Sequence, residues 1–441
     1  MTTARRASAS TRVMIGLTDI GGHHVQLVEG LRSHGIQAVL IDLAPDPFGY
    51  RVGRGSNDGV PRVARWAARA RSRREGSTGD RLVTATTMTI EVVLRIALLV
   101  WALTRYDVFV FVYRTSFLKG ADLPLLRLCG KRIIGVFHGS DERPPYLDGA
   151  RPRNLDARQM ARLTRRQKVG VAWFGRFALE VISNPASAQF WERPVVMIQC
   201  LGIPFAPPSP EPARGASAEE GAPLVIVHAP TAPEAKGSDL VRSMIRTLQA
   251  EGIAIDYREL QGLPNHEVLA NLREADLAID QLYSDTPLPK FATEASSYGV
   301  PVVIGGYSWD FLQSVLPDDA VWPAICRPEH ALETVRRLAK DADERAGIGR
   351  RCQEFARARL APASVAARYL RVIRGDVPES WRYDPVGSRH AHGCGLSEDA
   401  EKASIRRLIE ECGVRSLMVH DKPALELALV NYATGHAGRV D

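Results

Sequence analysis

The sequence predicts an α/β protein of two parallel-sheet domains facing each other across a cleft, followed by a C-terminal helical extension. Three observations predict it. Apolar runs fit for buried strands alternate with helix-period stretches through both halves of the chain. A stretch rich in Pro, Ala, Gly and Glu, PFAPPSPEPARGASAEEGAP, separates the halves. At 441 residues the chain also exceeds one ordinary domain.

The first half opens with RVMIGLTD, the turn IGGHH, the helix-period stretch VQLVEGLRSHG and a second apolar run, IQAVLIDL. This strand, glycine turn, helix, strand unit argues for a parallel sheet. An apolar helix through 88–103, strand DVFVFVY, helix LPLLRLCG and strand RIIGVFHG continue it. The stretch EVISNP, a helix over ASAQFW and a strand over VVMIQCLG close an N-terminal domain spanning 12–205, with a linker over 206–222. The second series starts at PLVIVHAP and alternates through SDLVRSMIRTLQAEG, IAIDYREL, NHEVLANLREA, LAIDQL, KFATEASSYG and PVVIGG. The helix-rich HALETVRRLAKDADERAGIGRRCQEFARARL closes it, for a domain over 223–374. Residues 375–441 leave the alternation. Two helices are expected there, one with Ser397 as N-cap, the other with Asp421 as N-cap and Pro423 in its first turn.

Composition is that of a globular chain, with 45% hydrophobic and 24% charged residues and a net charge of +7. The excess of base favours anionic partners. The segment PRVARWAARARSRR (61–74) suits contact with an anionic membrane or an anionic acceptor, or is a solvated basic segment. Nucleic acid is not expected, because binding it calls for aromatic platforms and Trp66 stands alone among the arginines. The most apolar window, MTIEVVLRIALLVWAL, is interrupted by Glu91 and Arg95, and is expected to be a buried core helix rather than a membrane crossing. Six cysteines without C-x-x-C spacing suggest reduced thiols in a cytoplasmic protein, and the first dozen residues lack the apolar core of a secretory signal. His390, His392 and Cys394 are too closely spaced, with no distant fourth ligand, for a zinc site, so no metal is expected.

In open parallel sheets, ligands lie outside the carboxyl ends of the strands, and four stretches occupy such positions. Glu294 falls early in a helix that follows the strand LAIDQL. Its carboxylate suits a ribose diol, or it is an acid placed near a helix start by the dipole alone. Lys236 and Gly237 precede the Ser-Asp opening of a helix, where the ammonium can meet a phosphate or simply solvent. Gly21 and Gly22 permit a tight turn beside a ligand, although they form neither G-x-G-x-x-G nor a Walker motif. His138 and Asp141, in FHGSDE, can touch a sugar or a phosphate, or His138 is a structural hydrogen-bonding residue.

Taken together, GGHH, FHGSD, EAKGSD and TEASSYGVPVV resemble, in order and spacing over roughly 12–374, the retaining family 4 glycosyltransferases of GT-B fold, built from two Rossmann-like domains. The Glu-to-GVPVV stretch is the most specific part. The resemblance implies a nucleotide-sugar co-substrate held by the C-terminal domain and an acceptor, whether glycan, lipid-linked or small molecule, facing the N-terminal one. It also implies no cofactor and no metal. Glu294 would take the donor ribose, and Lys236 would stabilise the leaving diphosphate. Gly21, Gly22 and Gly237 would lie beside the phosphates, and His138 near the transferred sugar. The sequence departs from the family where a first glutamate is usual and Thr286 stands, with Asp285 adjacent as the candidate to substitute for it in contacting the sugar, and where an arginine is usual and Thr231 stands. A transferase-like binding or scaffolding protein and a nucleotide-sugar epimerase are the alternatives. The expected location is the cytoplasm or the inner membrane face.

Overall fold

The computed structural model describes residues 11–44, 59–76, 81–152, 154–206 and 222–435. Nearly all of the linker expected over 206–222 lies outside them. In the first half β1 (Arg12–Leu17) leads through the glycine turn into α1 (His23–Ser33) and back to β2 (Gln37–Asp42). Then come α2 (Arg62–Gly76), α3 (Arg81–Arg105), β3 (Val108–Val112), α4 (Leu123–Leu128) and β4 (Arg132–Val136). The half closes with α5 (Ala157–Phe177), β5 (Glu180–Ser183), β6 (Val195–Met197) and α6 (Ile198–Leu201). The helix expected over ASAQFW is a 3₁₀ turn, Pro185–Phe190, entered through Asn184, whose side chain accepts from the Ala186 N–H. The strand expected over VVMIQCLG stops at Met197, where α6 begins.

The second half runs β7 (Leu224–His228), α7 (Pro233–Lys236), α8 (Ser238–Ala250), β8 (Ile255–Glu259), α9 (Asn265–Arg273) and β9 (Leu277–Ile279). It continues with α10 (Lys290–Tyr298), β10 (Val302–Gly305), α11 (Trp309–Val315), β11 (Ala324–Cys326), α12 (Ala331–Lys340), α13 (Ala342–Phe355) and α14 (Pro362–Arg374). Beyond it lie β12 (Arg382–Tyr383), α15 (Glu398–Cys412) and α16 (Pro423–Thr434).

These strands form two sheets of matching topology. The first has the order β12-β6-β5-β4-β3-β1-β2, parallel except for β12, and the second β11-β10-β9-β7-β8, parallel throughout. In each, the first strand of its series lies between the second and third. The chain therefore leaves β1 and β7 toward opposite faces from their neighbours, opening a crevice at their carboxyl ends. Near-continuous apolar strands such as VFVFV, buried at every residue, are what a sheet covered on both faces requires.

After the second sheet the chain returns to the first. Helix α14 lies on α1, close enough that a Cβ on Gly30 would come within 2.1 Å of the Pro362 carbonyl. The tail, expected to be helical, also adds β12 to the edge of the first sheet. Its 390–395 stretch then threads between the domains. There the Gly149 N–H donates to the Cys394 carbonyl at 2.8 Å, and the Gly395 N–H donates to that of Tyr283 at 2.8 Å. Ser397 caps α15 as expected, accepting from the Ala400 N–H. Asp421 does not cap α16, whose N-cap is Lys422; the Asp421 carboxylate instead takes the Lys168 ammonium at 2.8 Å.

A further expectation fails. The apolar window 88–103 lies within α3, which is not a core helix: only 22% of its most apolar window is buried. Leu98, Leu99 and Ala102 face the sheet, while Val93 and Val100 are more than half exposed.

Candidate active site

The glycine turn after β1 holds Gly21 and Gly22 at φ 59° and 73°, a conformation that strains any residue with a Cβ. Asp19 braces it, accepting from the His24 N–H at 3.0 Å and lying 2.9 Å from His24 Nδ1. The turn projects His23 toward His138, whose loop is fixed by the His138 N–H donating to Asp141 Oδ1 at 3.0 Å. Three imidazoles gather here, with the His138 ring 6.0 Å from that of His23 and 5.7 Å from that of His24. Burial lowers the pKa of His138 to about 3 and that of His23 well below its ordinary value, with Lys290 and the neighbouring histidines adding to the His23 effect. Both rings are therefore neutral near pH 7. Among the described residues, both His23 ring nitrogens and His138 Nε2 are buried without a hydrogen-bond partner. Buried polar atoms of that kind are the ones a ligand satisfies.

In the second domain His228 ties three elements together. Its ring nitrogens lie 2.9 Å from the Ile279 carbonyl and 2.8 Å from Ser238 Oγ. Gly237, at φ 75°, turns the chain from α7 into α8, and a Cβ there would lie 3.1 Å from both Leu282 Cβ and the Tyr283 ring. Just before it, the Lys236 ammonium donates to Asp280 Oδ1 at 2.8 Å. Asp280, wholly buried at the end of β9, also accepts from the Ala292 N–H in the first turn of α10 at 3.2 Å. One turn on, Glu294 Oε1 lies 3.2 Å from the Lys290 ammonium and accepts from Asn265 Nδ2 at 3.0 Å.

Several of these groups line one cavity of about 540 Å³, between the carboxyl ends of the two sheets. Gly21, His23 and His138 line it from the first domain, and Thr231, Lys236, Lys290 and Glu294 from the second. With doubly wound sheets of matching order facing each other across this cleft, the architecture is clear. The fold is GT-B.

No protein-family model matches the chain. No curated protein matches it either. Among solved structures it is similar to sucrose-phosphate synthase from Thermosynechococcus elongatus, at 16% identity over 83% of this chain and 98% of that one, with a TM-score of 0.49. The catalytic domain of starch synthase IV from Arabidopsis thaliana, bound to ADP and acarbose, is 13% identical over 84% of this chain and 99% of that one, with a TM-score of 0.48. HepE of Anabaena in complex with UDP-glucose is 13% identical over 82% and 99%, with a TM-score of 0.47.

Of the residues singled out in the sequence, Gly21, His138, Lys236 and Glu294 line the cavity. Gly22 and Gly237 act one step back, as left-handed N-caps of α1 and α8. Asp141 Oδ1 accepts from the His138 N–H of its own loop, Oδ2 is buried with no hydrogen-bond partner among the described residues, and burial raises the pKa to about 6. Asp285 is buried against the Arg143 guanidinium of the other domain, outside the cavity lining. Thr286 lies in a separate, smaller cavity beside Leu288 and Leu316. His390 meets Ser308 Oγ at 3.1 Å, and His392 lies 3.2 Å from Glu401.

Sequence reasoning missed three residues. Asp280 is one polar position in an apolar run, with its lysine 44 residues away. His23 sits in the quoted GGHH but shows its unpartnered ring only once buried. Lys290 had a readable signal, its i,i+4 spacing from Glu294.

Proposed function

We propose that the chain is a glycosyltransferase that moves a sugar from a nucleotide-sugar to an acceptor. The observation that carries this reading is the single cavity in which Lys236, Lys290 and Glu294 stand opposite Gly21, His23 and His138. In this reading Glu294 accepts hydrogen bonds from the donor ribose, since a carboxylate offers two oxygens to a diol. The diphosphate lies near the start of α10 and the Lys236 ammonium, where helix dipole and cation both favour negative charge.

As the glycosidic bond breaks, its electron pair leaves with the diphosphate oxygen. Cations already in place stabilise that charge more in the transition state than in the ground state, which lowers the barrier. Asp280 accepts from the Lys236 ammonium and fixes its place at the edge of the cleft, where Lys236 is part of the lining. Lys290 restores the positive charge that Thr231 does not provide. Neutral His23 and His138 can donate to, or accept from, hydroxyls of the transferred sugar. Enclosure between two domains orients donor and acceptor and keeps water from consuming the donor. Charge stabilisation of this kind calls for no metal, and transfer with retention follows the sequence resemblance.

The test is release of nucleoside diphosphate from a panel of UDP-, GDP- and ADP-sugars in the presence of a chelator, with Lys236→Ala alongside. One donor consumed by the wild type, and consumed at least about a hundredfold more slowly by the variant, supports the reading. Turnover that survives Lys236→Ala, or that stops with the chelator, contradicts the mechanism.

A further inference from the structure

Helix α3 is inside out. Between Leu82 and Thr104 its only charged residues are Glu91 and Arg95, and both face the protein, with side chains 5% and 14% exposed. Arg95 and Arg74 bind the Glu91 carboxylate at 2.8 and 3.0 Å. The outer face instead carries Met88, Ile90, Val92, Val93, Ile96 and Val100, each between 42% and 59% exposed. A helix on the surface of a water-soluble domain has the opposite polarity. A contiguous exposed apolar stripe of this length marks a contact surface.

Beside it, α2 packs on α3 and the domain through Ala64, Ala67 and Ala70 and turns Arg62, Arg65, Arg69 and Arg73 outward, with Trp66 54% exposed among them. Under the two helices is a cavity of about 450 Å³ into which Arg71, Arg74, Arg95, Arg114, Lys119 and Arg166 converge, with Glu91 the one acid among the described residues that line it. Arg114 stands at the carboxyl end of β3, where it and Tyr113 both hold left-handed backbone at φ 51° and 55°. Such strain in non-glycine residues collects at functional sites.

We propose that the α2–α3 hairpin is an in-plane membrane anchor whose occupant is an anionic phospholipid surface. The outer stripe of α3 enters the acyl boundary, Trp66 and the outward arginines of α2 sit at headgroup level, and the cationic cavity receives a lipid phosphate. Charge complementarity selects this occupant: an apolar stripe alone would serve any partner, but one flanked by outward arginines and backed by six cations fits negative headgroups above hydrocarbon. The helix lies along the surface rather than across it, because Leu98, Leu99 and Ala102 on its inner side belong to the domain core. The proposal is independent of the transferase reading, since none of these residues lines the interdomain cavity.

The test is flotation of the full chain with phosphatidylcholine vesicles, with and without phosphatidylglycerol. Arg65→Glu/Arg69→Glu and Val93→Asp/Val100→Asp are measured alongside, all at exposed positions whose melting temperature is expected to stay at the wild-type value. The wild type is expected to float with the anionic vesicles, about tenfold or more in excess over the zwitterionic ones. The arginine reversals remove that preference by about tenfold or more, and the aspartates abolish flotation. Wild-type protein that stays unbound overturns the proposal, as does binding that survives the aspartates. So does a dimer that Val93→Asp/Val100→Asp converts to monomer without any vesicle binding, which would assign the stripe to a second copy of the chain.

Discussion

The Lys236 ammonium lies 2.8 Å from Asp280, whose other carboxylate oxygen accepts from the Ala292 N–H at 3.2 Å. One buried carboxylate thus sets the distance between the cleft lysine and the start of the helix that carries Glu294. Asp280→Ala leaves a partly buried ammonium and a helix-start amide without their acceptor. It is expected to cost about 3 kcal/mol, measured by urea denaturation. Asp280→Asn keeps an acceptor for Ala292 and is expected to cost less while weakening nucleotide binding. A wild-type urea midpoint in Asp280→Ala would contradict this account.

Arg143 and Asp285 form a second charged pair, this one joining the domains. Both side chains are at least nine-tenths buried, and the Asn184 side chain also donates to the Asp285 carbonyl at 2.8 Å. Asp285→Ala is expected to lower stability by about 3–5 kcal/mol, because it leaves Arg143 with only the more distant Asp148 at 3.4 Å. If Asp285 acts only as this bridge, a nucleotide-induced rise in melting temperature persists in the variant. Loss of that rise in a variant that remains folded would make it a ligand contact.

Acid is expected to destabilise the protein from about pH 6.5 downward. Burial lowers the pKa of His138 and His390 to about 3, and lowers those of His23 and His228 as well. Unfolded histidine titrates near 6.5, so below that the unfolded chain binds more protons and stability falls, by up to about 1.4 kcal/mol per pH unit for each ring. Asp141, raised by burial to about 6, and Glu142, raised by burial, act in the opposite sense below their folded pKa values. Four imidazoles outweigh two carboxyls. The urea midpoint should hold from about pH 8 to 7 and drop between about 6.5 and 5. A midpoint that rises on acidification would contradict this balance.

The parts of the site readable in the sequence are those whose backbone announces them. Gly21, Gly22 and Gly237 punctuate strand-to-helix turns, and Glu294 follows a strand at helix-start spacing, so local chemistry was enough. Asp280 and His23 depend on what the fold brings near them, which no local period encodes. The α3 window fails for a related reason. Apolar length alone suggests burial, but burial depends on which side the charges take. Placing Glu91 and Arg95 at i,i+4 on one face already signalled that the remaining face is apolar and turned away from them. The tail was legible as helices but not as a strap, because β12 has only two residues and pairs with a strand nearly 190 residues earlier.

The most direct test of the account is a thermal-shift titration with UDP, GDP and their sugars on the wild type and Glu294→Ala. A ligand confined to the native state raises stability by about 2.7 kcal/mol at a hundred times its dissociation constant. The account predicts that one nucleotide shifts the wild type and that Glu294→Ala, still folded, loses the shift. If no nucleotide shifts the wild type, or if the variant responds as the wild type does, Glu294 holds no ribose and the cleft is not a donor site.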